Sequence, residues 1–201
     1  MSQGRVYRAL TVISMAVGRG AAARAVATSA QLSSDDRVID IGCGPGAAVR
    51  QAARRCSSAT GIDPDAAMLR LARLISAARR TRNVNWLEGS AAAVALPDAS
   101  ATVVWALSSA HHWPERVAGW AEARRLLAPG GRLLVVERLT PAGARGHAAH
   151  GLTEDEADRL TAELAEAGFS SVQTEVTKAG RRRLVVVKCV LPGAAWANRV
   201  P

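Results

Sequence analysis

The stretch Val38-Ile39-Asp40-Ile41-Gly42-Cys43-Gly44-Pro45-Gly46 constrains the fold of this chain more than any other. Apolar residues around Asp40 run into a turn that holds three glycines in five positions, and the segment 47–55 behind it is Ala-rich and helix-compatible. A buried strand that ends in such a turn and feeds a helix is the opening of a βαβ unit. Glycine lacks a Cβ, so the chain can reverse tightly there and its backbone can approach a ligand closely. In sheets built this way ligands sit at the carboxyl ends of the strands.

The rest of the chain alternates in the same manner. Strand patterns cover 37–41, 59–62, 84–88, 101–107, 132–138, 171–177 and 183–190. Helical patterns lie at 47–55, from Pro64 to about Ala78, at 115–127, and from a capping box formed by Thr153 and Glu156 to just before Gly168. The segment around Ala179-Gly180 is too short for a parallel crossover, so the last two strands form a hairpin. The expected fold is α/β: a Rossmann-like, doubly wound, mostly parallel seven-stranded sheet with a terminal antiparallel hairpin. With 49% hydrophobic but only 3% aromatic residues, the core must be built from Ala, Val and Leu. The expected organisation is an N-terminal helical arm over 1–32, one domain over 33–190 and a mobile tail over 191–201. In the arm, Val6, Leu10, Ile13 and Val17 fall at helical spacing, which outweighs a leader-like reading because Arg19 and Arg24 interrupt it.

Glycine spacing alone does not choose the ligand. Gly42-x-Gly44-x-x-Ala47 satisfies the dinucleotide fingerprint, and Asp63 follows about twenty residues later. Asp40 discriminates. A carboxylate two residues before the first glycine repels a pyrophosphate, whereas it suits S-adenosylmethionine, which carries an ammonium and a sulfonium. Asp63, at the end of the second strand, can accept hydrogen bonds from ribose hydroxyls with either ligand.

On these residues the chain resembles the class I S-adenosylmethionine-dependent methyltransferases of the single-domain, small-molecule type. Val38–Gly46 looks like the family's first motif, and Gly61-Ile62-Asp63-Pro64-x-x-x-Met68-Leu69 like its second. Glu88-Gly89-Ser90-Ala91 stands in the position of the third, and Leu126–Leu133, with Pro129-Gly130-Gly131, looks like the turn into the fifth strand. The resemblance implies S-adenosyl-L-methionine as cofactor, held by Asp40, Gly42, Cys43, Gly44, Gly46, Asp63, Pro64, Met68, Gly89, Ser90, Ala91 and Leu107. Ser90 departs from the family, which places an Asp there near the adenine amino group. A neutral acceptor is weaker than a charged one, so modest cofactor affinity is expected.

The fourth strand runs into Leu107-Ser108-Ser109-Ala110-His111-His112-Trp113, a segment that should face the transferred methyl group. His111 and His112 are the general-base candidates, because imidazole titrates near neutrality and a hydroxyl acceptor needs a proton acceptor. Adjacent residues point apart, so at most one of the two is expected to act. Glu137 closes the fifth strand, and His147 and His150 lie in the loop after it. No metal site is expected. The expected reaction is methyl transfer to a small or medium organic acceptor, most simply at a hydroxyl. The alternatives are transfer to RNA or another polyanion, and a cofactor-binding module without catalysis.

The net charge of +9 comes almost wholly from Arg, since Lys178 and Lys188 are the only lysines. Arg50, Arg54, Arg55, Arg70, Arg73, Arg79 and Arg80 could form a basic face, but the scarcity of aromatic residues argues against single-strand nucleic acid as a partner. Cys43, Cys56 and Cys189 have neither disulfide nor zinc spacing, which fits a reducing, cytoplasmic compartment. No stretch is long enough to span a membrane, and apolar positions on the arm would suit a homodimer.

Overall fold

The computed structural model describes residues 20–144, 146, 150–180 and 182–193. The arm's apolar positions before residue 20, His147, and the tail from 194 onward lie outside them. After α1 (residues 20–29) the chain runs β1 (Arg37–Ile41), α2 (Ala47–Ala52), β2 (Ser58–Asp63), α3 (Ala66–Ala78) and β3 (Val84–Glu88). It continues through β4 (Ala101–Leu107), α4 (Arg116–Leu126), β5 (Leu127–Arg138), α5 (Glu154–Glu166), β6 (Ser170–Ala179) and β7 (Arg182–Val190).

The seven strands form one sheet in the order β3-β2-β1-β4-β5-β7-β6. Neighbours from β3 to β5 are parallel, and β7 enters antiparallel to both β5 and β6. The expected doubly wound sheet with its terminal hairpin is therefore the observed one. Order reverses between β2-β1 and β4, and that switch opens a crevice at the carboxyl ends of β1 and β4.

Residue alternation explains the two-layer core. Along β4, Val103, Trp105 and Leu107 face one side with Ala23, Val26, Val49 and Leu69 of α1 to α3. Val104 and Ala106 face the other with Trp120, Leu126, Leu160 and Leu164 of α4 and α5. Small side chains let the helices lie close to the sheet: Ala22, Ala23 and Ala27 are all buried along α1, and Ala30 just past its end.

Several boundaries differ from the sequence expectation, each for a local reason. Helix α2 stops at Ala52 because the Asn83 amide donates to the carbonyls of Ala53 and Cys56 and stabilises a turn into β2. Pro64 precedes the helix cap and does not open α3. The Asp65 side chain accepts from the Ala67 N–H and takes the cap position. Strand β5 begins at Leu127, because Leu127 pairs with Ala101 and the Gly130-Gly131 turn exchanges backbone hydrogen bonds with Leu191. Leu191, expected in the tail, is thus held at the sheet edge. The Thr153–Glu156 capping box forms as read.

Candidate active site

One half of the crevice is made by backbone. Gly42 and Cys43 donate to the Ile62 carbonyl at 2.8 and 2.9 Å, tying the loop after β1 to the end of β2. Gly42, Gly44 and Gly46 have φ of 76°, 53° and 74°, the left-handed region that glycine enters without strain. At Gly42 a Cβ would strike the Ser109 side chain, and at Gly46 it would strike the Trp86 ring. The glycines at these two positions are thus required by protein neighbours as well as by the turn. The sequence reading missed Trp86. Its signal was Gly61, a glycine inside a strand that stands opposite Trp86 in register and whose Cβ would also meet that ring.

Asp63, 8% exposed, binds the loop directly. Its Oδ2 accepts the Gly44 N–H at 2.7 Å and its Oδ1 accepts the Asp65 N–H at 2.9 Å. An ionised carboxylate has about four acceptor sites, so each oxygen retains one for a further donor. Asp40 is buried at the end of β1, as are Cys43 on the loop and Leu107 at the end of β4. The Gly89 N–H donates to the Asp63 carbonyl at 3.3 Å, which brings Gly89-Ser90-Ala91 beside the end of β2. Met68 is half-buried in the first turn of α3, while Ser90 and Pro64 are exposed.

The other half is made by side chains. Ser108, at φ 50°, donates to the Val136 carbonyl at 2.7 Å, and the Ser109 hydroxyl donates to the Ile41 carbonyl at 2.6 Å. These bonds pin the exit of β4 between β1 and β5. A single 3₁₀ turn, Ala110–His112, follows. Glu137, fully buried on β5, grips it twice: Oε2 lies 2.8 Å from His111 Nδ1, and Oε1 accepts the His111 N–H at 3.4 Å. An ionised carboxylate only accepts, so the proton is assigned to Nδ1 and the lone pair to Nε2. That Nε2 is buried and has no hydrogen-bond partner among the described residues.

His112 and His150 complete the group. The rings of His111 and His112 are 3.9 Å apart, and His150 lies 6.2 and 5.9 Å from them. Their ligand-type atoms all fall within 4.8 Å of one another, so the three imidazoles could also hold a divalent transition metal. Of the two base candidates the structure distinguishes His111, locked by Glu137, from the exposed His112. Trp113 instead packs on Trp120 at 4.7 Å and against Gly119, and so belongs to the core.

Residues 39–135 match the family model described as a methyltransferase domain. Among curated relatives, 27-O-demethylrifamycin SV methyltransferase of Amycolatopsis mediterranei is 39% identical over 123 residues, 58% of this chain and 45% of that protein. Demethylmenaquinone methyltransferase of Tropheryma whipplei is 31% identical over 114 residues, 57% of this chain and 46% of that one. The chain spans about half the length of the curated relatives it matches. Among solved structures, a SAM-dependent methyltransferase from Aquifex aeolicus superposes with a TM-score of 0.72 at 17% identity, covering 84% of this chain and 89% of that one. The [4+2]-cyclase SpnF superposes with a TM-score of 0.74 at 20% identity, covering 87% and 82%. The same fold therefore carries more than one reaction, and the chemistry must be argued from the crevice.

Proposed function

We propose that the chain, whose residues 39–135 match a methyltransferase domain, acts as a class I S-adenosylmethionine-dependent methyltransferase that moves a methyl group from S-adenosylmethionine to the hydroxyl oxygen of a small or medium organic acceptor. The residues present fit this cofactor. Asp63 keeps acceptor capacity for a ribose diol after binding Gly44 and Asp65. Asp40, Asp63 and Glu137 put three buried carboxylates at the carboxyl ends of β1, β2 and β5, a negative environment that favours a sulfonium and repels a pyrophosphate. Gly42, Gly44 and Gly46, with Cys43 and Leu107, would wall the methionine portion. Met68, Gly89, Ser90 and Ala91 would border the adenine, with Ser90 offering only a neutral hydroxyl.

When bound, S-adenosylmethionine supplies a methyl group already activated by positive sulfur. The protein's task is then to position the acceptor and receive its proton. His111 does the second: Glu137 fixes the ring, and Nε2 takes the hydroxyl proton as oxygen bonds to carbon. His112 and His150 line the same side and orient the acceptor. The observation that carries the hydroxyl assignment is the His111–Glu137 pair at 2.8 Å with Nε2 otherwise unengaged.

The test is incubation with methyl-labelled cofactor and a panel of hydroxylated small molecules, read by mass spectrometry. An O-methylated product formed by the native protein and not by His111→Ala supports the assignment. Label found only on nitrogen or carbon would overturn the hydroxyl reading while leaving the methyltransferase reading intact.

A further inference from the structure

Behind the glycine loop, a cavity of about 810 Å³ opens between α1, the outer face of α2 and the end of α3. Arg24, Arg50, Arg54, Arg79, Arg80 and Arg82 line it, and no Asp or Glu does. None of the six forms an ion pair among the described residues. The chain builds this convergence deliberately: α3 ends at Ala78, Arg80 turns left-handed at φ 52°, and the reversal brings Arg79, Arg80 and Arg82 to one rim. Ala47 and Arg50 on its wall directly follow the glycine loop, while Arg82 and Asn83 lead into β3, so the cavity runs along the outer face of α2, behind the loop rather than within the methyl-transfer crevice.

Arg50 forms the inner wall and ties the cavity to the glycine loop. It is 8% exposed, Nη1 donates to the Pro45 carbonyl at 2.6 Å, and Nε is buried without a partner. Burial, and then the charge of Arg79, pull its guanidinium down to about 10, below the ordinary arginine range. Six guanidinium groups with no carboxylate among them on one wall repel one another, and an anion in the cavity relieves that repulsion. The carbonyl end of α3 offsets only part of the positive charge.

We propose that this cavity is a binding site for a compact polyphosphate, either inorganic or the phosphate chain of a nucleotide, separate from the methyl-transfer crevice. Several cations facing one enclosure match three or four closely spaced negative charges better than a single phosphate. Guanidinium groups recognise phosphate oxygens through paired N–H donors. The cavity has the size of a small-molecule site, and Gln51 and Thr81 add neutral donors at its wall. No aromatic residue lines it, so there is no platform for stacked bases, and an extended single-stranded nucleic acid is the poorer match. Of the basic face expected from the sequence, Arg50, Arg54, Arg79 and Arg80 line the cavity, whereas Arg55, Arg70 and Arg73 do not.

Calorimetric titration of the full chain with tripolyphosphate and, separately, with ATP tests this. One site per chain is expected. Arg54→Ala, Arg79→Ala and Arg82→Ala, all at exposed positions, should each weaken it about tenfold. Arg70→Ala, on α3 but outside the lining, should not. Equal affinity for the two ligands means that the phosphate chain alone is read, and tighter ATP binding means that a nucleotide is the source. No saturable binding, equal weakening by Arg70→Ala, or a 20-nucleotide RNA that binds and is not displaced by tripolyphosphate would each overturn the proposal.

Discussion

The two halves of the crevice are made of different material. On the β1–β2 side the backbone does the shaping: left-handed glycines, carbonyl acceptors, and Asp63 spending one acceptor site per oxygen on main-chain N–H groups. On the β4–β5 side the side chains do it: Ser109 fastens the turn, Glu137 fastens His111, and three imidazoles gather around one point. A backbone-built half tolerates no added atoms, because its geometry is the fold itself. A side-chain-built half can lose a functional group and keep its shape. The first therefore suits an invariant cofactor, and the second suits chemistry.

The largest expected effect is on the backbone half. Gly42→Val forces a β-branched residue into φ 76° and onto Ser109, at a cost of roughly 4 kcal/mol. Gly130→Ala, at φ 78° but with open space around its Cβ, should cost only about 1–2 kcal/mol. Urea unfolding of both variants checks the contrast, and equal losses would mean that close packing is not what fixes Gly42.

His111→Ala should lower kcat about 10²-fold or more, while the affinity for S-adenosylhomocysteine stays within about twofold. A parallel loss of cofactor affinity would dissolve the division between the halves. Glu137→Gln should act in the same direction, since it replaces an acceptor-only group with one that can present a donor to Nδ1.

Asp36 lies at the other ends of the strands and should touch neither half. Burial pushes its carboxyl up. Hydrogen bonds from Arg132, the Ser33 N–H and Thr102 outweigh that and hold it at about 2, below its ordinary 3.8. Arg132 also donates to the Ala30 carbonyl at the end of α1, so the pair joins α1, β1 and β5. A depressed carboxyl contributes stability that is complete above about pH 4 and is lost as pH falls through about 2. Asp36→Asn should cost about 2 kcal/mol at neutral pH and flatten the acid limb of the stability curve, with methyl-transfer kinetics unchanged. The smallest expected change is a gain: Ser90→Asp supplies a charged acceptor and should tighten cofactor binding several-fold, measured by calorimetry.

Much of this was legible in the sequence because period and punctuation are local. The alternation in Arg37–Ile41, Val84–Glu88 and Ala101–Leu107 gave those strands their observed bounds, and the short turn at Gly180 forced the antiparallel hairpin. Departures came where distant residues intervene: Asn83 shortens α2, and Leu191 draws Gly130-Gly131 into the sheet edge. In the crevice, the residue types and chain positions of Asp40, Asp63 and the histidines could be read, whereas their partners could not. Glu137 is 26 residues from His111, and no local pattern announces that pair. Nor could the spacing of Arg24, Arg50 and Arg79 show that α1, α2 and α3 bring them to one cavity.

The central claim is that buried carboxylates and left-handed glycines together hold a positively charged adenosyl donor. Calorimetric titration of the native chain with S-adenosylmethionine, and in parallel with NAD, tests it most directly. Saturable one-to-one binding of S-adenosylmethionine, weakened at least tenfold by Asp63→Ala and not competed by NAD, is the predicted result. Binding of NAD at that site with S-adenosylmethionine silent would contradict it.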